Sequence, residues 1–376
     1  MNKLIFFVCI LVLYACKPDR ADNEILVFDI IGNLDTRVDT TKTWNDFASS
    51  VEVIPLETND SNLLSSFTIQ NVVGDRIVGL NRLGITRDGI TFFTSGGKAD
   101  IRIFDTQGKL IRTIDRMGKG GREYPALDNL WVGQDPLCFK IATNGKLYAY
   151  DEYGEYQGTD SLDLTASAVY LGEGKYLAEV SAFSKNQYKC QLLVLDEKGK
   201  AREKLLPEKI DSVRLSSVSF SLHGKMASSP QGVFYKNAIS DTVYLISPHQ
   251  VPRAVAVFPS GTAKQENFSN GNSLNDFTKW MGERLMVSYY YPFGDKYYIS
   301  YSFKGKSYTE LWEKGNNKPL ARNLGLKLKS GKKISAKPQW MFDHKAYFLV
   351  DAYKVVDEVE GITEDSNPVL IIVTLK

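Results

Sequence analysis

The sequence predicts an all-β fold, a six-bladed β-propeller of four-stranded antiparallel blades. Three observations predict it. One hairpin recurs along the chain at a spacing of about 45 residues, the size of a propeller blade. No window of 15 residues sustains 3.6-residue periodicity with caps, and the best helix candidate is the short stretch NDFTKWMGERLM over 275–286. A β-patterned segment near each end of the chain lacks a neighbour in sequence, so the two are expected to complete each other.

Composition sets the outer limits. Of 376 residues, 43% are hydrophobic, 24% charged and 12% aromatic, which excludes a mainly disordered or coiled-coil chain. The 46 basic residues nearly balance 44 acidic ones, for a net charge of +2, so nothing argues for a nucleic-acid partner. With only 3 histidines and no clustered spacing among His223, His249 and His344, no metal or other cofactor is expected.

The chain opens with MNKLIFFVCILVLYAC. Its apolar run from Leu4 to Ala15 falls short of the roughly 20 residues that span a bilayer as a helix. It suits the apolar region of a secretory signal. Leu13-Tyr14-Ala15-Cys16 resembles the bacterial lipobox. That resemblance implies cleavage before Cys16 and acylation of its thiol and new amine, with stable anchoring from several acyl chains. Residues 1–15 are then a signal peptide, 16–43 a lipidated tether and lead-in, and 44–376 the propeller. Lys17-Pro18-Asp19 resembles a surface-export tag, and the periplasmic and cell-surface sides both stay open.

The hairpin unit is an alternating strand, a turn with Asp and Gly, then a second strand. Clear copies are IRIFDTQGKLIRTI (101–114), KLYAYDEYGEYQGT (146–159) and QLLVLDEKGKAREKLL (191–206). Weaker copies occupy 242–258 and 308–324. The pairs Asp105/Gly108, Asp151/Gly154 and Asp196/Gly199 keep one spacing. Asp can bond backbone two residues on, and Gly accepts positive φ, so both suit the turn. Five hairpins are complete. The sixth blade is split between VEVIPL (51–56) and NPVLIIVTL (367–375), whose pairing would close the ring. A β-sandwich is the competing fold, and it accounts poorly for the fixed period. After loss of Cys9 with the signal and lipidation of Cys16, Cys138 and Cys190 remain; in different blades, they are expected as buried free thiols.

The stretch FDTQGKLIRTIDRMGKGGREYPALDNLWV (104–132) resembles the repeat of NHL-type propellers. Three features together resemble the six-bladed propeller lipoproteins of the Bacteroidota: VIPLET at 53–58, GKGGREY at 118–124 and NPVLII at 367–372. The resemblance covers about residues 44–376 and implies the fold and an envelope lipoprotein. It implies no reaction.

The loop MGKGGREY at 117–124 is the conspicuous candidate site. Its glycine N–H groups could cradle an anion, with Arg116, Lys119 and Arg122 adding charge and Glu123, Tyr124 and Asp128 beside them. The competing reading is a blade-to-blade crossover in which Arg122 and Glu123 pair locally and Tyr124 plugs a blade interface. Asp128, Asp295 and Asp343 are candidates for a ring of channel carboxylates. The run YYYPFGDKYYISYSF (289–303) suits a strand filling a blade interface, with ligand stacking as the alternative. No GxSxG elbow or other catalytic set is recognised. The expected role is therefore a lipid-anchored outer-membrane propeller that binds or scaffolds a glycan, peptide or envelope protein. A glycan hydrolase or lyase with channel-mouth carboxylates, and a structural subunit of an outer-membrane complex, are the alternatives.

Overall fold

The three Asp-x-x-Gly turns fold alike. Asp105 Oδ1 accepts the backbone N–H groups of Gln107 and Lys109 at 2.9 and 2.8 Å. Asp151 does the same for Tyr153 and Glu155, and Asp196 for Lys198 and Lys200, all at 2.9 Å. One carboxylate thus satisfies two donors that the turn would leave open. Gly108, Gly154 and Gly199 follow with φ of 84°, 78° and 72°, the left-handed region that glycine enters without strain.

In the computed structural model these turns join the third and fourth strands of successive blades. It describes residues 24–376, apart from 83–84, 88–89, 93–97, 163, 181–187, 208–211, 215–218, 222–224, 238–239 and 260–282. The signal segment, Cys16, His223 and most of the helix candidate at 275–286 lie outside the described residues.

The sheets form six four-stranded antiparallel blades of a propeller. Blade 1 is Phe67–Val73, Arg76–Arg82, Ala99–Asp105 and Leu110–Ile114; blade 2 is Asn129–Gln134, Leu137–Thr143, Lys146–Asp151 and Tyr156–Ser161. Blade 3 is Ala168–Gly172, Lys175–Glu179, Cys190–Leu195 and Ala201–Pro207; blade 4 is Lys225–Ser229, Gly232–Lys236, Thr242–Ile246 and Arg253–Val257. Blade 5 is Met286–Phe293, Lys296–Phe303, Lys306–Glu313 and Ala321–Arg322. Blade 6 takes Trp340–Phe342, Lys345–Val350 and Val369–Leu375 from the end of the chain, and its outer strand Ala48–Pro55 from the beginning.

That last pairing closes the ring as the sequence predicts. Val51 stands opposite Val373, Val53 opposite Ile371 and Pro55 opposite Val369, in antiparallel register. First strands touch between blades 1 and 2, 2 and 3, 3 and 4, 4 and 5, and 6 and 1, which places the first strands innermost. Apolar layers fill the gaps between blades. Ile101 and Ile103 of blade 1 pack with Phe139 and Ile141 of blade 2, all with no exposed surface. Between blades 2 and 3, the buried Trp131 indole N–H donates to Ala166 O at 2.8 Å. Cys138 and Cys190, in blades 2 and 3, are not joined in a disulfide, Cys190 buried and Cys138 partly so.

The two faces of the ring differ. In every blade the first and second strands are joined by a two-residue turn, and these turns share one face with the Asp-x-x-Gly turns. The opposite face carries the second-to-third connections and the crossovers. It also carries the extra hairpins Ile85–Arg87/Ile90–Phe92, Ser212–Arg214/Ser219–Ser221 and Gly325–Lys327/Lys333–Ser335.

Residues 24–47, within and just beyond the stretch expected as tether and lead-in, form a strap along the outside of blades 4 to 6. Leu26–Val27 adds a fifth, parallel strand beside Arg253–Val257. Phe28 and Ile30 then turn inward and are buried. Arg322 of blade 5 donates to the strap carbonyls of Leu34 and Asn33 at 2.8 and 3.0 Å. A single helical turn, Trp44–Phe47, is started by Thr43, whose N–H donates to Asp46 Oδ2 at 2.7 Å. It delivers the chain to the closing strand and buries Trp44 against Tyr298 and Phe348.

Candidate functional site

The glycine-rich loop crosses from blade 1 to blade 2 on the face with long connections. Tyr124 N–H donates to Arg116 O at 3.1 Å and Gly118 N–H to Tyr124 O at 3.0 Å, so the loop closes on itself. Its anion is internal: the Glu123 carboxylate takes the Gly120 N–H at 2.7 Å. A Cβ on Gly118 would meet that carboxylate at 2.0 Å, which explains the glycine. Tyr124 is fully buried, and burial raises its hydroxyl pKa to about 12. Tyr150 donates its hydroxyl to Arg122 O at 2.9 Å. Arg116 reaches back to Gly154 O at 3.2 Å and Glu155 at 3.3 Å. The groove beside the loop, about 330 Å³, is lined by Lys119, Lys146, Tyr156 and Thr159. Of the six residues singled out in the sequence, Lys119 and Glu123 line this groove. Asp128 is outside it and accepts the Thr143 hydroxyl at 2.6 Å.

The carboxylates Asp128, Asp295 and Asp343 do not form one ring. Asp128 precedes the first strand of blade 2, on the long-connection face, whereas Asp295 and Asp343 occupy first-to-second-strand turns on the other. Direction along the first strand decides the face, so carboxylates at its two ends do not share a ring. Among the described residues no cluster of three or more His, Cys, Asp or Glu could hold a metal ion.

A second, more apolar cleft of about 340 Å³ opens on the short-turn face between blades 4 and 5. Its floor comes from Phe234, Tyr290, Phe293 and Tyr297, each at most 7% exposed. The rings use their faces on one another. Tyr290 and Tyr297 stack at 6.1 Å, Phe234 meets Tyr290 edge-on at 5.7 Å, and Phe28 of the strap meets Tyr297 edge-on at 5.2 Å. The YYYPFGDKYYISYSF run is thus mainly packing, and only its turn end reaches the cleft.

The rim is polar and carries both signs of charge. Arg253 opens the outer strand of blade 4 and Glu24 belongs to the strap, whereas Lys314, just after the third strand of blade 5, donates its backbone N–H to Asp295 O at 2.7 Å. Asp343 and His344 lie toward the axis, on the inner turn of blade 6. Tyr291 lines the cleft with no exposed surface, and its hydroxyl lacks a hydrogen-bond partner. The Asp343 backbone N–H is within its electrostatic reach but misses hydrogen-bond geometry. Burial pushes the Tyr290, Tyr291 and Tyr297 hydroxyls above the ordinary tyrosine range, so they stay protonated donors.

Sequence reasoning named Asp343, His344 and the tyrosine run separately but did not join them. Arg253, Lys314 and Glu24 carried no motif. Their convergence depends on the strap and on three blades, which no local spacing reports.

A model of a domain of unknown function, DUF4934, matches residues 25–374. No curated protein matches the chain. The fold is similar to that of a Bacteroides fragilis NCTC 9343 protein named for its inferred export, with a TM-score of 0.66 and 14% identity over 94% of this chain and 100% of that one. A member of the duf4221 family from Bacteroides vulgatus ATCC 8482 gives a TM-score of 0.49 and 11% identity, over 88% and 97%. At 14% identity the first of these likenesses shows the fold alone.

Proposed function

The chain belongs to the DUF4934 family, and from that premise we propose that it is an exported cell-envelope lipoprotein, anchored in the outer membrane through Cys16, whose propeller is a binding module. The cleft between blades 4 and 5 is its ligand seat. The observation that carries this reading is the composition of that cleft: an apolar floor, a rim with charges of both signs, and a buried hydroxyl held without a partner. Ligand pockets combine these features, with few polar groups setting orientation.

The lipobox-like Leu13-Tyr14-Ala15-Cys16 supports the anchor. Glu24 is the eighth residue after Cys16, so the cleft wall lies within about 30 Å of the acylated residue along the chain. Ligand capture would take place close to the membrane surface.

Two measurements test the reading. Mass spectrometry of the mature N-terminus should show an acylated Cys16; cleavage elsewhere without acylation overturns the anchor. Thermal-shift screening of the mature protein against glycans and peptides should find a stabilising ligand whose effect is lost in Phe234→Asp. Turnover of a polysaccharide that is abolished by Asp343→Asn would replace the binding reading with the enzymatic one.

A further inference from the structure

We propose that the outer corner of blade 4 docks on the lipid leaflet that holds the acyl chains of Cys16, so that the propeller lies on the bilayer in a fixed orientation. This deepens the proposed function and rests on the anchor at Cys16; it asks nothing of the cleft. Of eight large hydrophobic side chains exposed among the described residues, three meet at this corner: Ile25, Val27 and Val251, at 46%, 62% and 86%. The rest are spread over blades 1, 2 and 6 and their connections. Single exposed apolar residues are ordinary, whereas a group of them marks a contact surface.

The fold puts the three together. Leu26 stands beside Ala256 in parallel register, so the strap enters the sheet from the end of the outer strand that begins with Arg253. Val251 lies two residues before Arg253, in the turn that leads into that strand. Successive residues of an extended strand face opposite ways, so Leu26 turns into the cleft while Ile25 and Val27 turn out. The turn itself is braced. The Ser247 hydroxyl donates to Gln231 O at 2.7 Å, the Gln250 N–H donates to Ser247 O at 3.3 Å, and His249 hydrogen-bonds Glu173 of blade 3. Val251 thus projects from a fixed support.

Two features name the occupant. First, the tether is short. Ile25 is the ninth residue after Cys16, so the corner stays within about 30 Å of the leaflet. Even a weak apolar contact is then made at high effective concentration. Second, the three side chains are aliphatic and stand on a projecting corner, without the aromatic and Arg anchors that dominate protein interfaces. That shape enters a soft leaflet more readily than a rigid pocket. An acyl anchor joined to a second membrane contact is the combination that gives stable attachment. Seated on this corner, the ring presents blade 4 to the bilayer and blade 1, across the ring, to solution.

The test is fluorescence of the acylated protein, its Cys16 verified by mass spectrometry, in phosphatidylethanolamine–phosphatidylglycerol vesicles with and without bromine on the acyl chains. Relative to the parent, Val251→Trp and Val27→Trp should be quenched by bromine placed at the roughly 5–10 Å depth of interfacial segments. Ile111→Trp, on the outer strand of blade 1, should not be quenched. Ile25→Trp takes the place of Val27→Trp if that variant fails to fold. Adding Val251→Asp to Val27→Trp should relieve its quenching. No quenching at either position in acylated protein overturns the docking and leaves the anchor standing. Equal quenching of Ile111→Trp means that no face is preferred, and a blue shift of Val251→Trp without quenching means that a second copy or another protein covers the corner; each overturns the docking. A Cys16 found unacylated takes down the anchor and the docking together.

Discussion

Arg322 ties the strap to blade 5. Its Nε donates to the Glu310 carboxylate at 2.7 Å, and its two terminal nitrogens hold the Leu34 and Asn33 carbonyls. Glu310 has no exposed surface and also accepts the Tyr301 hydroxyl and the Trp312 indole N–H, both at 2.9 Å. Replacing Arg322 by Met leaves a buried carboxylate with two neutral donors and no countercharge. Breaking such a pair from one side costs about 3–5 kcal/mol. Arg322→Met should lower the folding free energy by that amount in urea titration, and trypsin should cut faster after the exposed Arg37 in the strap. Glu310→Gln combined with Arg322→Met should be more stable than Arg322→Met alone, because the stranded charge is gone while one carbonyl acceptor remains. A single-variant loss under about 1 kcal/mol, or a double variant less stable than the single, would refute the reasoning.

The other expectations concern closure, turns and acid. Deleting Val51–Leu56 exposes the buried strand Val369–Leu375 and should remove most of the stability; a deletion protein that melts like the parent sinks the closure argument. Gly108→Ala should destabilise strongly, since φ is 84° and a Cβ would lie 2.2 Å from Pro55 O. Gly121→Ala, with nothing within 4 Å of its Cβ, should change stability by less than about 0.5 kcal/mol; denaturation midpoints check both. Partial burial alone would raise the Asp196 pKa, but the Lys200 and Lys198 N–H groups and the Arg202 guanidinium hold it below the usual value. Its folded pKa is thus below the unfolded value of about 3.9, so its contribution is present above that pH and fades as pH falls through the folded value. The melting-temperature gap between parent and Asp196→Ala should be widest near neutrality and narrow below about pH 4; a gap that widens in acid contradicts the sign.

The sequence disclosed what repeats locally and concealed what converges. Asp105, Asp151 and Asp196 were legible because each turn is satisfied within its own few residues, so the same physics writes the same letters three times. The closing pair was legible by elimination, because two apolar strands without neighbours cannot stay unpaired. The strap was not: its hold comes from Arg322 and from Lys333, which donates to Thr40 O at 2.7 Å, both about 290 residues away in sequence. A polar segment docked through its carbonyls looks like a tether, because carbonyls are common to every residue. The glycine-rich loop shows the converse limit. Its letters suit an anion cradle, yet Glu123 three residues on already fills the Gly120 donor. A cradle that carries its own carboxylate is a rigid crossover, and Tyr124 buried beside it points the same way. The cleft between blades 4 and 5 has the opposite character: ordinary letters, drawn from the strap and three blades, and one buried Tyr291 hydroxyl without a partner. Where local signals are already satisfied at home, what stays unsatisfied in the assembled ring is the better guide to what the ring is for.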